Sequence, residues 1–438
     1  MFGFFIKMKK RFLALVLFFY IGYSHPMPNS VLIFDVKSDK IYCELQLPLK
    51  ELQLAIPFDV TNDLKDLFKN HREELYKYVL NHFSIKGKNH EDWDILIDEM
   101  KLAKAEQTAT GVYQELIISM IIVPKDNYNI RNFIIYYDAI MHQVVTHKTI
   151  VTVRQDWENG QVGEKNTEIA TIATDTRIGK VLPLQINLAK GNSWKGFKSM
   201  LNLGMAHIAE GTDHLLFLLV LLLSAPLIAE NKNWSKSGGT KYSLIRILKI
   251  TLAFTFGHSI TLFLGSFGWI HVQQKPIEIL IAFSILITAI HAIRPIFANK
   301  EIYIASGFGL IHGLAFASVL AHLNLDTVRL VISLFGFNLG IEIMQLFIIL
   351  LVMPWLIILS SSKIYNWIRL FGAALAGIAS ISWMIERYYE KSNFISEYVQ
   401  KVTEYSLEYI FGLALFTLIY IAFSKKSIQK LSEKNLPH

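Results

Sequence analysis

One cysteine, Cys43, stands in a chain of 438 residues. No intrachain disulfide can form, and Cys43 is expected as a buried strand thiol. Charge is also scarce: 18 % of residues are charged against 52 % hydrophobic. That balance points to a protein that is partly, but not wholly, within a membrane. The formal charge is +7, yet the basic residues sit mostly in short loops between apolar runs, where topology accounts for them. This distribution excludes a nucleic-acid partner from our expectations. No ATP-binding motif is visible, so active transport would need an accessory membrane or periplasmic protein, or a gradient. No internal repeat organises the chain.

Residues 1–24 read as a signal peptide. Lys7, Lys9, Lys10 and Arg11 precede an apolar run, and Gly22 and Ser24 give the small residues that a signal peptidase reads. An uncleaved anchor is the alternative. Residues 25–195 are expected to form an exported β-rich domain, an antiparallel sandwich of immunoglobulin-like type with a helical insertion at about 64–82. Its strand signals are VLIFDV, IYCELQLP, LIISMIIVP, FIIYYDAI, TIVTVRQDW and EIATIATDT. Cleavage after Ser24 would leave His25 with an α-amine and an imidazole, a chelate that His142 or His147 could complete.

Residues 196–425 are expected to be an all-α membrane bundle and 426–438 a cytoplasmic basic tail. Seven apolar spans are read at about 201–224, 244–265, 275–295, 302–322, 328–359, 366–386 and 407–424. Lysines and arginines fall in alternate loops, which places the N-terminal domain on the periplasmic side of a bacterial inner membrane and the C-terminus in the cytoplasm.

Within these spans stand residues that do not belong in lipid. The stretch 203–223 carries His207, Glu210, Asp213 and His214. On a wheel advancing about 100° per residue all four fall on one face. Further along come His258, then His312, then Asn338 and Glu342. Depth estimates put them near one level, between the outer leaflet and the midplane. Small residues flank His312 (Gly309, Gly313) and Asn338 (Gly336, Gly340), and such rows let helices approach closely. His291, Arg294 and His322 lie near span ends, where snorkelling suffices. Each buried charge costs several kcal/mol unless it is paired or metallated. Imidazole with carboxylate suits a divalent cation such as Ni, Co or Zn, and the lack of thiolate argues against Cu(I). A proton relay is open to the same residues.

At HIAEGTDHLLFLLVLLL the sequence resembles the HupE/UreJ family, in its branch with an exported N-terminal domain. The family's His-Pro-x-x-Gly-x-Asp-His element reads His207-Ile208-Ala209-Glu210-Gly211-Thr212-Asp213-His214, with Ile208 in place of Pro. His312-Gly313 with Ala315 is similar to its His-Gly-x-Ala element, and FTFGHSITL, GIE and HPMPNS also resemble family segments. The resemblance implies a nickel or cobalt permease in which His207, Asp213, His214 and His312 meet the metal. The alternative is an intramembrane metal-dependent hydrolase of ceramidase-like type, with Glu210 or Glu342 as general base. The sixth and seventh spans contain no histidine, unlike the late spans of those hydrolases.

Overall fold

Alternation of apolar and polar residues builds the first half of the chain, and long apolar runs build the second. The computed structural model describes residues 28–61, 67–107, 111–125, 129–162, 166–270, 272–321, 323, 325–403 and 405–434. The expected signal peptide, His25 and His322 lie outside the described residues. Two compact units result, one ending at Asn192 and one starting at Ser193.

In the first unit, β1 (Ser30–Val36), β2 (Ile41–Pro48), β4 (Asp94–Gln107), β5 (Gly111–Val123), β7 (Lys148–Asp156), β8 (Thr167–Asp175) and β9 (Lys180–Val181) form one sheet, in the order β4-β5-β2-β1-β7-β8-β9. A second sheet has the order β10-β6-β3, from Leu184–Asn187, Asn132–Tyr137 and Phe83–Gly87. Strand β2 shows the logic. Its alternate residues Ile41, Cys43, Leu45 and Leu47 are buried at 2 % exposure or less, while the residues between them are half-buried. The two sheets share one core, in which Phe34 of β1 meets Phe133 of β6 edge-to-face at 5.9 Å. Helix α1 (Leu49–Gln53) follows β2, and helix α2 (Leu67–His82) is the expected insertion. One strand pair departs from the antiparallel expectation: β1 runs parallel to β7.

Three histidines of this unit, His82, His142 and His147, have local partners. His82 pairs with Asp138 (Nδ1 to Oδ1, 2.7 Å) and stacks on His142, with ring centroids 4.1 Å apart. His147 is 2 % exposed, and its Nε2 lies 2.8 Å from Ser30 Oγ. Burial pushes the His147 imidazole down to about 4.

In the second unit, α3 (Ser193–Glu210) and α4 (Thr212–Ser224) are followed by a hairpin of β11 (Leu227–Glu230) and β12 (Asn233–Ser237). Then come α5 (Gly239–Ser266), α6 (Gln274–Ile293), α7 (Glu301–Ala321), α8 (Thr327–Ser360), α9 (Ile364–Tyr389), α10 (Phe394–Thr403) and α11 (Ser406–Lys434). Helices α5 to α9 are five helices long and apolar enough to cross a membrane. The α3–α4 pair makes a sixth if it counts as one broken span. The apolar part of α11, Glu408–Phe423, is shorter. Exposed Phe256, Leu350, Phe371 and Leu375 cover the outside of the bundle, as lipid-facing positions require.

The straight helix expected over 203–223 is corrected by the fold. The chain breaks at Gly211, which leaves the helical region (φ −73°, ψ 95°), and α3 and α4 are bent by 68°. A side chain at Gly211 would lie 2.4 Å from His207 O, so the break needs glycine. His291 is a second correction. It is 1 % exposed rather than snorkelling, and Trp234 Nε1 donates to its carbonyl at 3.0 Å.

The burial of His147 carries a pH signature. The unfolded chain takes its proton near pH 6.5 and the folded chain only near 4, so this stabilisation is present above 6.5 and lost as pH falls toward 4. Thermal unfolding of the purified protein from pH 7 to 4 should show wild type losing up to about 3 kcal/mol more stability than His147→Gln. Parallel pH profiles for the two proteins would contradict the assignment.

Candidate metal centre

Four helices each contribute one imidazole. His207 lies near the end of α3, and His214 lies in the first turn of α4 just past the break. His258 is on α5 and His312 on α7. The 68° bend brings His207 and His214 to 4.5 Å between ring centroids. One nitrogen each from His207, His214 and His258 lies within 4.8 Å of the other two. His312 joins through His214: its Nδ1 is 3.3 Å from His214 Nε2. His258 and His312 are fully buried.

Helix contact sets this spacing. A Cβ on Gly309 would fall 2.0 Å from Phe254 O, and one on Gly313 would fall 2.2 Å from His258 O. Helices α5 and α7 therefore touch backbone to backbone beside both histidines. The α3–α8 pair does the same, with Gly204 against Phe337 O and Gly340 against Leu201 O.

Several nitrogens in the group lack ordinary partners. His207 Nε2 and both ring nitrogens of His258 are buried without a hydrogen-bond partner among the described residues. An unpaired polar atom in an apolar interior is costly, and these atoms stand together at one place that a ligand would fit. Asp213 anchors the set: its Oδ1 accepts from His214 Nδ1 at 2.9 Å and from His214 N at 2.9 Å. Carboxylate–imidazole pairs of this kind orient metal-binding histidines. The donor set is imidazole with one carboxylate and no thiolate, which suits Ni, Co or Zn.

Phenylalanines line the group. Phe316 and Phe337 lie 4.6 Å and 5.3 Å from the His207 ring. One turn from His214, His258 and His312 stand Phe217, Phe254 and Phe308. Phe217 lies 5.1 Å from Phe254 and 6.0 Å from Phe308, and it also lies 5.5 Å from His312. This aromatic layer closes one side of the centre. Farther along the same helices, by about 15–18 Å at about 1.5 Å per residue, a charged network ties the helix ends together. Arg246 donates to Glu301 Oε1 at 2.6 Å and to Leu227 O at 2.7 Å, with His291 Nε2 3.7 Å from the same carboxylate oxygen. Neither feature was expected from sequence, although phenylalanines three or four residues from each histidine were there to be read.

Glu210 and Glu342 stand apart from the imidazoles, and Asn338 borders His258. Glu210 is exposed at the end of α3. Asn338 accepts from Ser259 Oγ at 2.8 Å and donates to Leu334 O at 2.8 Å. Glu342 accepts from Thr255 Oγ1 at 3.0 Å, one turn nearer the Arg246 end. These two residues form a polar ladder between α5 and α8, beside the imidazole group.

The fold and this group define a multi-pass membrane protein with a buried cluster of histidines. Residues 184–387 match the family described as HupE / UreJ protein. The sheet-rich unit before residue 184 lies outside the match. No curated protein and no solved structure matches the chain.

Because the α5–α7 contact leaves no room for a side chain, Gly309→Val should cost at least about 2 kcal/mol. The measurement is the thermal midpoint of the purified protein in detergent. A midpoint equal to wild type would show that the contact does not set the helix spacing.

Proposed function

We propose that the protein is a permease for a divalent transition-metal cation of nickel or cobalt type. The observation that carries this reading is the convergence of His207, His214 and His258 nitrogens within 4.8 Å, several of them buried and unpartnered. The match of residues 184–387 to the HupE / UreJ family agrees with it.

In this reading residues 1–24 are a signal peptide and the sheet-rich domain is exported. The bundle crosses the membrane seven times, with the basic tail in the cytoplasm. The cation reaches the centre from the periplasmic side, past exposed Glu210 and part-exposed Asp213. It exchanges its water shell for imidazole nitrogens held in a dry site. Metal binding then requires neutral imidazoles. The aromatic layer of Phe217, Phe254 and Phe308 separates the centre from the inner end, so passage requires these rings to move. The polar ladder of Asn338 and Glu342 offers oxygen ligands farther inward.

A hydrolase would need a carboxylate placed to take a proton from a metal-bound water. Glu210 is exposed and Glu342 is engaged with Thr255. Asp213 is occupied by His214. This arrangement favours binding and transfer of the ion over hydrolysis.

His214→Ala removes the residue that touches both Asp213 and His312. Cells carrying this variant at wild-type protein levels should accumulate nickel or cobalt only at the background of cells lacking the protein. Accumulation unchanged from wild type would end the permease reading.

A further inference from the structure

Two imidazole nitrogens face each other inside the bundle, His312 Nδ1 and His214 Nε2, 3.3 Å apart. His214 Nδ1 lies 2.9 Å from Asp213 Oδ1. An ionised carboxylate only accepts, so His214 carries its hydrogen on Nδ1 and its Nε2 is bare. On the other side, Ser284 Oγ lies 2.7 Å from Ile281 O and 3.0 Å from His312 Nε2. A hydroxyl has one hydrogen, and a carbonyl oxygen can only accept. We infer that the shorter contact takes that hydrogen, so that His312 donates from Nε2 to Ser284 Oγ. His312 Nδ1 is left bare, 3.3 Å from the bare His214 Nε2. Ser284 and His312 are both 0 % exposed, so this tautomer is set by protein groups alone. Two lone pairs at that distance repel unless a cation lies between them. For an ion bound at about 2.0–2.1 Å in a tetrahedral shell, neighbouring nitrogens lie about 3.3 Å apart.

We propose that Ser284 is a positioning residue for the transported ion: it holds His312 as the Nε2–H tautomer, so that His312 Nδ1 and His214 Nε2 form the ligand pair. The proposal rests on the metal reading of the centre and deepens it. It gives α6, which supplies no imidazole to the group, a part in binding. Asp213 and Ser284 act as matched supports, one fixing each tautomer, and the two histidines bind through opposite ring nitrogens. Without the hydroxyl, His312 Nε2–H has no acceptor in a dry site, and the tautomer that places its hydrogen on Nδ1 blocks the ion.

The test is a titration of the purified full-length protein with Co(II), read by visible absorption and by the dissociation constant. Wild type is expected to bind. Ser284→Ala is expected to bind about 10- to 100-fold more weakly with an altered absorption band. Ser284→Cys, whose sulfur is a weak acceptor, should fall between them. A second measurement uses wild type alone: ¹⁵N magnetic resonance of histidine-labelled, Zn(II)-loaded protein, with the His312 signals identified by their loss in His312→Gln. It should show His312 metal-bound at Nδ1 and protonated at Nε2. If wild type binds no Co(II), the metal reading itself fails. If wild type binds and Ser284→Ala matches it in affinity and spectrum, the role of Ser284 is overturned while the centre stands. Zinc on His312 Nε2 also overturns it, and that result decides the matter if Ser284→Ala does not fold.

Discussion

Backbone-to-backbone contact at Gly309 and Gly313 sets the distance between the helices that carry His258 and His312. A wider spacing would separate these imidazoles and open the bundle beside them. The break at Gly211 works with this contact. It turns α4 away from α3 by 68° and so folds His207 back toward His214. Two glycine effects, close approach and a non-helical turn, thus gather four imidazoles from four helices. The cost is a set of polar atoms buried away from water, several without a partner. A bound cation is the simplest group that satisfies them together.

Around that centre the helices are closed by chemistry of two kinds. Next to the imidazoles lie the rings of Phe217, Phe254 and Phe308, which exclude water. Toward the ends of the same helices lie Arg246, Glu301 and His291, whose charges are matched within the protein. Arg246 also caps the last carbonyls of α4 by donating to Ser224 O at 3.2 Å. The dry layer keeps the imidazoles in a low-dielectric setting, and the charged network holds the helix ends in register. In the proposed permease, an ion moving inward would meet these two layers in sequence.

Much of this was legible in the residues. A histidine or carboxylate inside an apolar run signals a site because lipid penalises it, and that signal located His207, Asp213, His214, His258 and His312. Alternation located the strands, as in IYCELQLP, whose odd positions are buried. The wheel over 203–223 misled because it assumed an unbroken helix. A single glycine costs only about 1 kcal/mol within a helix, so composition could not reveal the break at Gly211. Asn338 borders His258 as its level suggested, while Glu342 faces Thr255 instead. Helical spacing fixes a face, while the facing helix decides the partner. The parallel pairing of β1 with β7 was hidden for a related reason: no local pattern encodes which distant strands become neighbours. His291 needed Trp234 of the hairpin and Glu301 of α7 beside it before its burial made sense.

On the proposed reading the imidazole group holds one divalent cation. Its most direct test is equilibrium dialysis of the purified protein against nickel or cobalt, followed by element analysis. The expected result is about one ion per chain in wild type and none above background when His207 and His214 are both changed to alanine. Equal metal content in the two proteins would contradict the account.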